Sequence, residues 1–365
     1  MNILIINPML YTSVSNEVKR EESIKDTMIY GLCKAFVDLG HDVVLFAGEP
    51  FRPTEIEDYP FKVIWGKYRL QSVLPISLSW IPELSQYLDA HGDEFDLIIS
   101  GEAFSLCTFS AYRKVKDKLI CWHELAVHQR AMCGIPSRFW YRVFLPLFMS
   151  DLRVVARSEQ AKSFISQYSK NVSDVVVGHG VDLSKYQNLA KKDNSFLVCS
   201  RLVPNKRIDR TISVFGSYVK KYDNSAVLRI AGTGEEEPYL RKLCSDLGIA
   251  SNTLFLGQLN HERLLPFMAT AWALLISTER DNSLISVIES IASGTPVITS
   301  EVPLNAHNIK AFNLGIVDNG WDEDDLKRVV ELQSTYRNNC LNYRESISTK
   351  ATAQGLISVA AGWSD

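Results

Sequence analysis

Between Ser277 and Ile298 the chain reads STERDNSLISVIESIASGTPVI, which sets two carboxylates, Asp281 and Glu289, eight positions apart at the opening of a predicted helix. A helix N-terminus offers unpaired N–H groups and the positive end of the backbone dipole. Carboxylates and amides gathered there suit a ligand carrying both phosphate and sugar hydroxyls. Asn282, Ser283 and Leu284 lie in the same stretch, and Asn and Ser are good helix caps. Ser286-x-x-Glu289 also fits a capping box, in which Glu289 would satisfy helix-end donors and touch no ligand. Glu279 is a competing carboxylate two positions before Asp281. Arg201 and Lys206 flank a turn just after a predicted strand, and His123, in LICWHELAVHQ, follows another.

The elements that must position these residues read as α/β from end to end. Asn2–Asn7 is a compact apolar strand; Ile24, Met28, Leu32, Phe36 and Leu39 then recur at helical spacing, with Gly40 suited to the position after the C-cap. Short apolar runs continue at 42–47, 95–100, 119–122, 152–156 and 175–177, with helical or loop material between them. That order implies a parallel sheet. Apolar density drops over Leu183–Ser195, where Lys, Asn, Asp and Ser gather, which reads as a linker and a hinge candidate. A second series follows at 196–199, 226–231, 253–257, 272–277 and 296–299. The division is therefore residues 1–184 and 185–346, with a closing helix at about 347–365 that packs back on the first domain. A ligand cleft between two such domains would lie at the carboxyl ends of the strands.

Composition limits the function classes. The 365 residues are 46% hydrophobic and 22% charged, ordinary for a globular chain of two domains. Thirty-nine Lys plus Arg against 42 Asp plus Glu leave a net charge of −3, so no global field marks nucleic acid as a partner and any phosphate must be held locally. The seven cysteines are scattered, odd in number and never C-x-x-C, which argues against a disulfide framework or a zinc ribbon and fits a reducing cytoplasm. MNILIINPML has no basic n-region or cleavage site and reads as a strand, not a signal peptide. No run reaches the length of a membrane span. Phe139, Trp140, Tyr141, Phe144 and Phe148 would suit a lipid surface, a peripheral membrane contact, although aromatics dominate cores generally and favour a partly buried helix beside an acceptor cleft.

FLVCSRLVPNKRID, residues 196–209, resembles the G-R-L-x-x-x-K-G-x-D segment of retaining glycosyltransferases of the GT-B fold, in particular family 4. Further matches follow in the family's order: DLRVVARSEQAKSFI (151–165), GVDLSKY (180–186), LRIAGTGEEEPYL (228–240), TLFLGQL (253–259), the carboxylate motif and ASGTPVI (292–298). The similarity is strongest over about 150–300. It implies two Rossmann-like, doubly wound parallel-sheet domains facing across a cleft. The implied reaction is metal-independent transfer, with retention, from a UDP- or GDP-sugar to a glycan, lipid-linked or other hydroxyl acceptor, without a cofactor. By the same resemblance Arg201 and Lys206 grip the donor diphosphate, through a planar fork and a compact charge. Glu289 accepts from ribose hydroxyls. Gly232, Asn282, Ser283 and Leu284 complete donor binding, and Asp281 and His123 face the donor sugar, with His128 and Glu279 as competitors for those roles.

The chain departs from the family pattern in places. Asp281 stands where Glu is usual, its arm shorter by one methylene, and Asn282-Ser283-Leu284 replaces Gly-Phe-Gly. The loop Pro8 to Glu22 has no Gly-Gly pair, leaving Ser13, Ser15 or Asn16 to approach a diphosphate, and His179 reads as structural. GTGEEE at 232–237 fails as a dinucleotide fingerprint because Glu237 occupies the third glycine position. Asp322-Glu323-Asp324 spells a metal-binding D-x-D but reads as an acidic helix start. Two rival functions stand: a nucleotide-sugar epimerase or phosphorylase on the same fold, and an inactive nucleotide-sugar-binding subunit.

Overall fold

Each strand of this chain is followed by a helix or long loop that returns it to the same edge, so its sheets are parallel. The computed structural model describes residues 1–11, 18, 20–70, 74–129, 131–186, 191–281 and 284–363, the side chains of 131 and 132 excepted. The first sheet comprises β1 (Asn2–Asn7), β2 (Asp42–Gly48), β3 (Lys62–Gly66), β4 (Leu97–Ser100), β5 (Leu119–His123) and β6 (Val154–Ala156), in the order β3-β2-β1-β4-β5-β6. The second comprises β7 (Ser195–Cys199), β8 (Val227–Ala231), β9 (Thr253–Gly257), β10 (Leu274–Ile276), β11 (Val297–Thr299) and β12 (Gly315–Val317), in the order β12-β11-β10-β7-β8-β9. Both are doubly wound. The order reverses between β1 and β4 in one sheet and between β7 and β10 in the other, where such sheets open a crevice at the carboxyl edge.

Burial on both faces explains the apolar runs. Leu4 and Ile6 enter one core layer with Leu84 and Ile98, while Ile3 and Ile5 enter the other with Leu32 and Phe36. In the second sheet Phe196 and Val198 pack against Phe215 on one side, and Leu197 packs with Val287 on the other. The runs at 62–66 and 315–317 are edge strands that sequence reading leaves out; the first is only partly buried and the second three residues long. The run at 175–177 is not a ladder strand. It follows β6 through a Val154–Val172 bridge and a single bond from Val177 N–H to Ala156 O at 3.0 Å.

The chain forms two compact units, Met1–Gly180 with Thr349–Asp365, and Val181–Ser348. The closing helix Thr349–Ala361 places Ala353 and Leu356 in the core layer of Leu32 and Phe36 on helix Met28–Asp38. The expected linker Leu183–Ser195 is not where the chain passes between units, because its described residues are bound into the second one. Val181 N–H donates to Ile347 O at 3.0 Å, Tyr186 is 5% exposed, and Asp193 pairs with Arg229 at 2.8 Å.

Lys192 in that segment has its ammonium on Thr295 Oγ1, and burial, with Arg337 next, pulls its pKa from 10.5 down to about 7. Above pH 10.5 the amine is neutral in both folded and unfolded chains and costs nothing. As pH falls towards 7 the unfolded chain takes up a proton that the folded chain refuses, so stability drops, and below 7 the penalty is complete. Lys192→Met is therefore expected to stabilise the protein by at most about 4 kcal/mol at pH 6.5 and by much less at pH 9.5, read from urea midpoints at both.

Residues 131–148 form a nearly continuous helical segment with a π-helical turn at Trp140–Phe144. Trp140, Tyr141, Leu145 and Met149 turn inward, as the core reading expects. Ile135, Phe139, Leu147 and Phe148 are 66%, 58%, 70% and 54% exposed, so the helix is partly buried as that reading expects, with one apolar face left to solvent. Among the described residues no helix is long and apolar enough to cross a membrane.

Candidate active site

The loops that leave β7 and β10 meet at the switch point of the second sheet. Leu197 and Leu274 are paired across the two strands, so the segments following them emerge side by side. The first, 200–207, includes a short turn Pro204–Lys206 and ends at Arg207 in the left-handed region, φ 48°. Backbone bonds stitch it to the second: Glu279 N–H donates to Asn205 O at 2.9 Å, and Asn205 Nδ2 to Arg280 O at 3.4 Å. Thr278 Oγ1 also donates to Asn205 O at 3.2 Å.

This stitching brings Lys206 Nζ onto Asp281 Oδ2 in an ion pair whose side chains are 11% and 18% exposed. A shallow pocket beside the pair is lined by Cys199, Ser200, Thr278, Leu284 and Ser286. Arg201 lies on the same loop, exposed, with no side-chain partner among the described residues. Glu279, the competing carboxylate, instead takes Arg207 Nη1 at 2.6 Å, and Arg207 also grips Asp209. Asp281 thus has the half-buried position and Glu279 the solvated one.

Glu289 lies one turn inside helix Ile285–Ala292, 15% exposed, with Oε1 3.2 Å from His261 Nδ1. Burial, and after it the Glu289 carboxylate, pushes the Cys199 thiol up to about 12, which places that carboxylate near the carboxyl end of β7. The capping box is not formed. The N-cap is Leu284, with no side-chain cap, and its N–H donates to Asn305 Oδ1 at 2.6 Å, so a residue from far along the chain satisfies the helix end. That bond also removes the Leu284 amide as a phosphate donor and leaves Ile285 and Ser286 as first-turn amides without a backbone acceptor among the described residues. Asn282 and Ser283 lie outside the described residues, as do Ser13, Ser15 and Asn16.

Gly232 packs on the site's backbone. Its φ is 132°, and a Cβ there would sit 1.9 Å from Ser200 O; one on Gly234 would sit 2.2 Å from Leu202 O. The β8 loop thereby supports the β7 loop, also through Leu202 N–H to Thr233 O at 3.0 Å. Helix Glu237–Asp246 follows. The other acidic run starts a helix as expected: Asp322 caps Glu323–Glu331 in a capping box with Asp325.

In the first unit His123 ends β5 with 0% exposure, its Nδ1 2.8 Å from Glu102 Oε2 and its ring stacked at 6.3 Å on Phe164. Its backbone O accepts from Arg157 N–H at 2.8 Å. A sugar contact through this imidazole requires the residues covering it to move. His128 is hydrogen-bonded between Ser137 and Tyr168, and His179 lies 3.6 Å from Glu124, whose carboxyl it and Arg157 hold down at about 2. A larger cavity at the amino ends of β1 to β3, rimmed by His41, Lys62, His91 and Glu94, faces away from the carboxyl edge and touches none of the residues singled out above. Sequence reading missed His261, Asn205 and Asn305. No local signal marks them, because each meets its partner across at least 20 residues.

Comparison with known proteins fits this geometry. The model described as Glycosyltransferase Family 4 matches residues 26–185, and that of the Glycosyl transferases group 1 matches 181–353. The lipopolysaccharide glucosyltransferase WaaG of Escherichia coli is 26% identical over 70% of this chain and 63% of its own length. The alpha-monoglucosyldiacylglycerol synthase of Streptococcus pneumoniae is 26% identical over 43% of this chain and 39% of its own. The chain spans less than two thirds of the length of the curated relatives it matches first. Anabaena HepE, crystallised with UDP, superposes with a TM-score of 0.64 at 13% identity, over 99% of this chain and all of that one. Two doubly wound parallel sheets in successive units define a GT-B protein. With both models together spanning residues 26–353, the chain belongs to the family 4-like, group 1 glycosyltransferases.

Proposed function

We propose that this chain is a retaining, metal-independent hexosyltransferase that moves a sugar from a UDP- or GDP-sugar to a glycan, lipid-linked or other hydroxyl acceptor. The observation that carries the reading is the meeting of Lys206, Asp281 and the exposed Arg201 at the switch point, with Glu289 on the helix that follows. In that arrangement the donor diphosphate draws Lys206 from Asp281 and binds Arg201 and the first-turn amides. The freed carboxylate then turns to the sugar as positive charge grows at its anomeric carbon. By the family resemblance His123 is proposed to contact the donor sugar, which requires the side chains that cover it to move. The acceptor hydroxyl attacks on the face the diphosphate leaves, and the departing phosphate takes the proton. HepE's complex with UDP supports the nucleotide.

Calorimetric titration with UDP, GDP, ADP and TDP, followed by the matching sugar panel in EDTA, tests this. One nucleotide is expected to bind at micromolar to millimolar concentration, and the product to keep the donor's anomeric configuration. Silence towards all four ends the reading. Turnover of donor alone would favour an epimerase, phosphate-dependent cleavage a phosphorylase, and binding without turnover an inactive subunit, which the closed Lys206–Asp281 pair favours as the second reading.

The apolar stripe Ile135, Phe139, Val143 and Leu147 supports an acceptor met at a cytoplasmic membrane surface, as do relatives named a lipopolysaccharide glucosyltransferase and an alpha-monoglucosyldiacylglycerol synthase. The sequence from 125 to 150 holds Arg130, Arg138 and Arg142 and no acid, which suits an anionic headgroup layer. Co-sedimentation with phosphatidylglycerol-containing vesicles is expected, weakened about thirtyfold in Arg138→Gln/Arg142→Gln, at about 1 kcal/mol per arginine, and abolished in Phe139→Glu/Leu147→Glu. Wild-type protein that stays in the supernatant removes the membrane from the proposal.

A further inference from the structure

Glu289 is held by a side-chain chain that the motif resemblance does not include. His261 is the first residue of helix His261–Thr270, positioned by Asn260, whose side chain caps that helix through Arg263 N–H at 3.0 Å. Its Nδ1 faces Glu289 Oε1 at 3.2 Å, and its Nε2 lies 3.3 Å from Tyr186 Oη. The rings of Tyr186 and His261 meet edge to face at 5.9 Å. Tyr186 is 5% exposed, so the chain is anchored in the body of the second unit and ends at the half-buried carboxylate.

The chemistry of the three groups orders them. A carboxylate only accepts, so the imidazole nitrogen facing it carries a proton; in the neutral ring the other nitrogen then accepts, which suits the tyrosine hydroxyl as donor. One carboxylate oxygen is thereby directed at His261. Glu289 Oε2 has no hydrogen-bond partner among the described residues.

We infer that His261, braced by Tyr186, is a positioning residue that fixes the Glu289 carboxylate so that its other oxygen accepts from the vicinal hydroxyls of a ribonucleoside diphosphate. The inference rests on the donor reading above and adds to it the residue that sets ribose selectivity. A long carboxylate side chain on a helix samples several rotamers, and holding it in one before the ligand arrives removes an ordering cost from binding. Three segments distant in sequence converge to supply that restraint.

The test compares the nucleoside diphosphate that binds wild type best with its 2′,3′-dideoxy counterpart, by calorimetry, on wild type, His261→Ala, His261→Asn and Tyr186→Phe. Wild type is expected to prefer the ribonucleotide by about tenfold or more, the worth of one hydrogen bond to a charged group. In His261→Ala that preference is expected to shrink to about threefold or less while dideoxynucleotide affinity stays unchanged. His261→Asn, whose amide nitrogen can replace Nδ1, restores part of it, and Tyr186→Phe falls between. A variant that loses affinity equally for both nucleotides, or for neither, overturns the inference and leaves the donor reading standing. A wild type that binds no nucleoside diphosphate overturns the donor reading and this one with it. Should His261→Ala not fold, by its thermal melt, the Asn and Phe variants carry the same comparison.

Discussion

Replacing Lys206 by alanine is expected to lower kcat/KM for the donor sugar by about 10- to 150-fold, the kinetic equivalent of one charge-assisted hydrogen bond of roughly 1.5–3 kcal/mol to the leaving diphosphate. The ammonium sits at the carboxyl edge between β7 and β10, paired with Asp281. Its loss has two consequences that can be separated. It removes a cation from the leaving-group side, and it strands Asp281, 18% exposed, without its counter-charge. The second costs folding stability whatever the function. The double variant Lys206→Ala/Asp281→Asn removes the stranded charge, so it should melt higher than Lys206→Ala yet be at least as slow, because the carboxylate that turns to the sugar is lost as well. Were Lys206→Ala to bind nucleotide and turn over like wild type, the pair would be a structural ion bridge and the leaving-group assignment would be abandoned.

The other large effect is on the scaffold. Gly232→Ala is expected to destabilise the protein by about 3 kcal/mol or more, because the added Cβ would stand 1.9 Å from Ser200 O at a backbone angle, φ 132°, that side chains avoid. Ser200 cannot simply retreat. Its N–H is bonded to Ala231 O at 3.1 Å, and Leu202 N–H to Thr233 O at 3.0 Å, so relief must displace the loop bearing Arg201 and Lys206. Nucleotide affinity should fall with stability. Gly248→Ala is the control: its φ is 73° but nothing lies within 4 Å of the added Cβ, so only the conformational cost of about 1 kcal/mol applies. Equal urea midpoints for the two variants would show that the β8 loop does not bear on the β7 loop. The resemblance assigns Gly232 to donor binding; the contacts give it the task of supporting the residues beside the site.

The parallel sheets were legible because strands buried on both faces read as unbroken apolar runs, as in Asn2–Asn7 and Ser195–Cys199. Edge strands are covered on fewer sides and need less apolar sequence, so Lys62–Gly66 and Gly315–Val317 carry no strand signal, whereas the apolar run 175–177 carries one without joining a ladder. Ser286-x-x-Glu289 illustrates the limit of local motifs. The pattern is present, yet Asn305 ends the helix instead and Glu289 turns to His261.

Residue order alone settled the α/β alternation, the closing helix's place after the second series, and the set of cations and carboxylates, since these depend on side-chain type and on neighbours a few positions away. Which carboxylate faces which cation was decided only in three dimensions. Asp281 goes to Lys206 and Glu279 to Arg207 because strand pairing brings the β7 and β10 loops side by side, while Glu289 goes to His261 on the helix that follows β9. His123 is covered because β5 ends among Tyr141 and Phe164. Charges act over a few ångströms of space, whatever their separation along the chain, so only the folded chain could assign their partners.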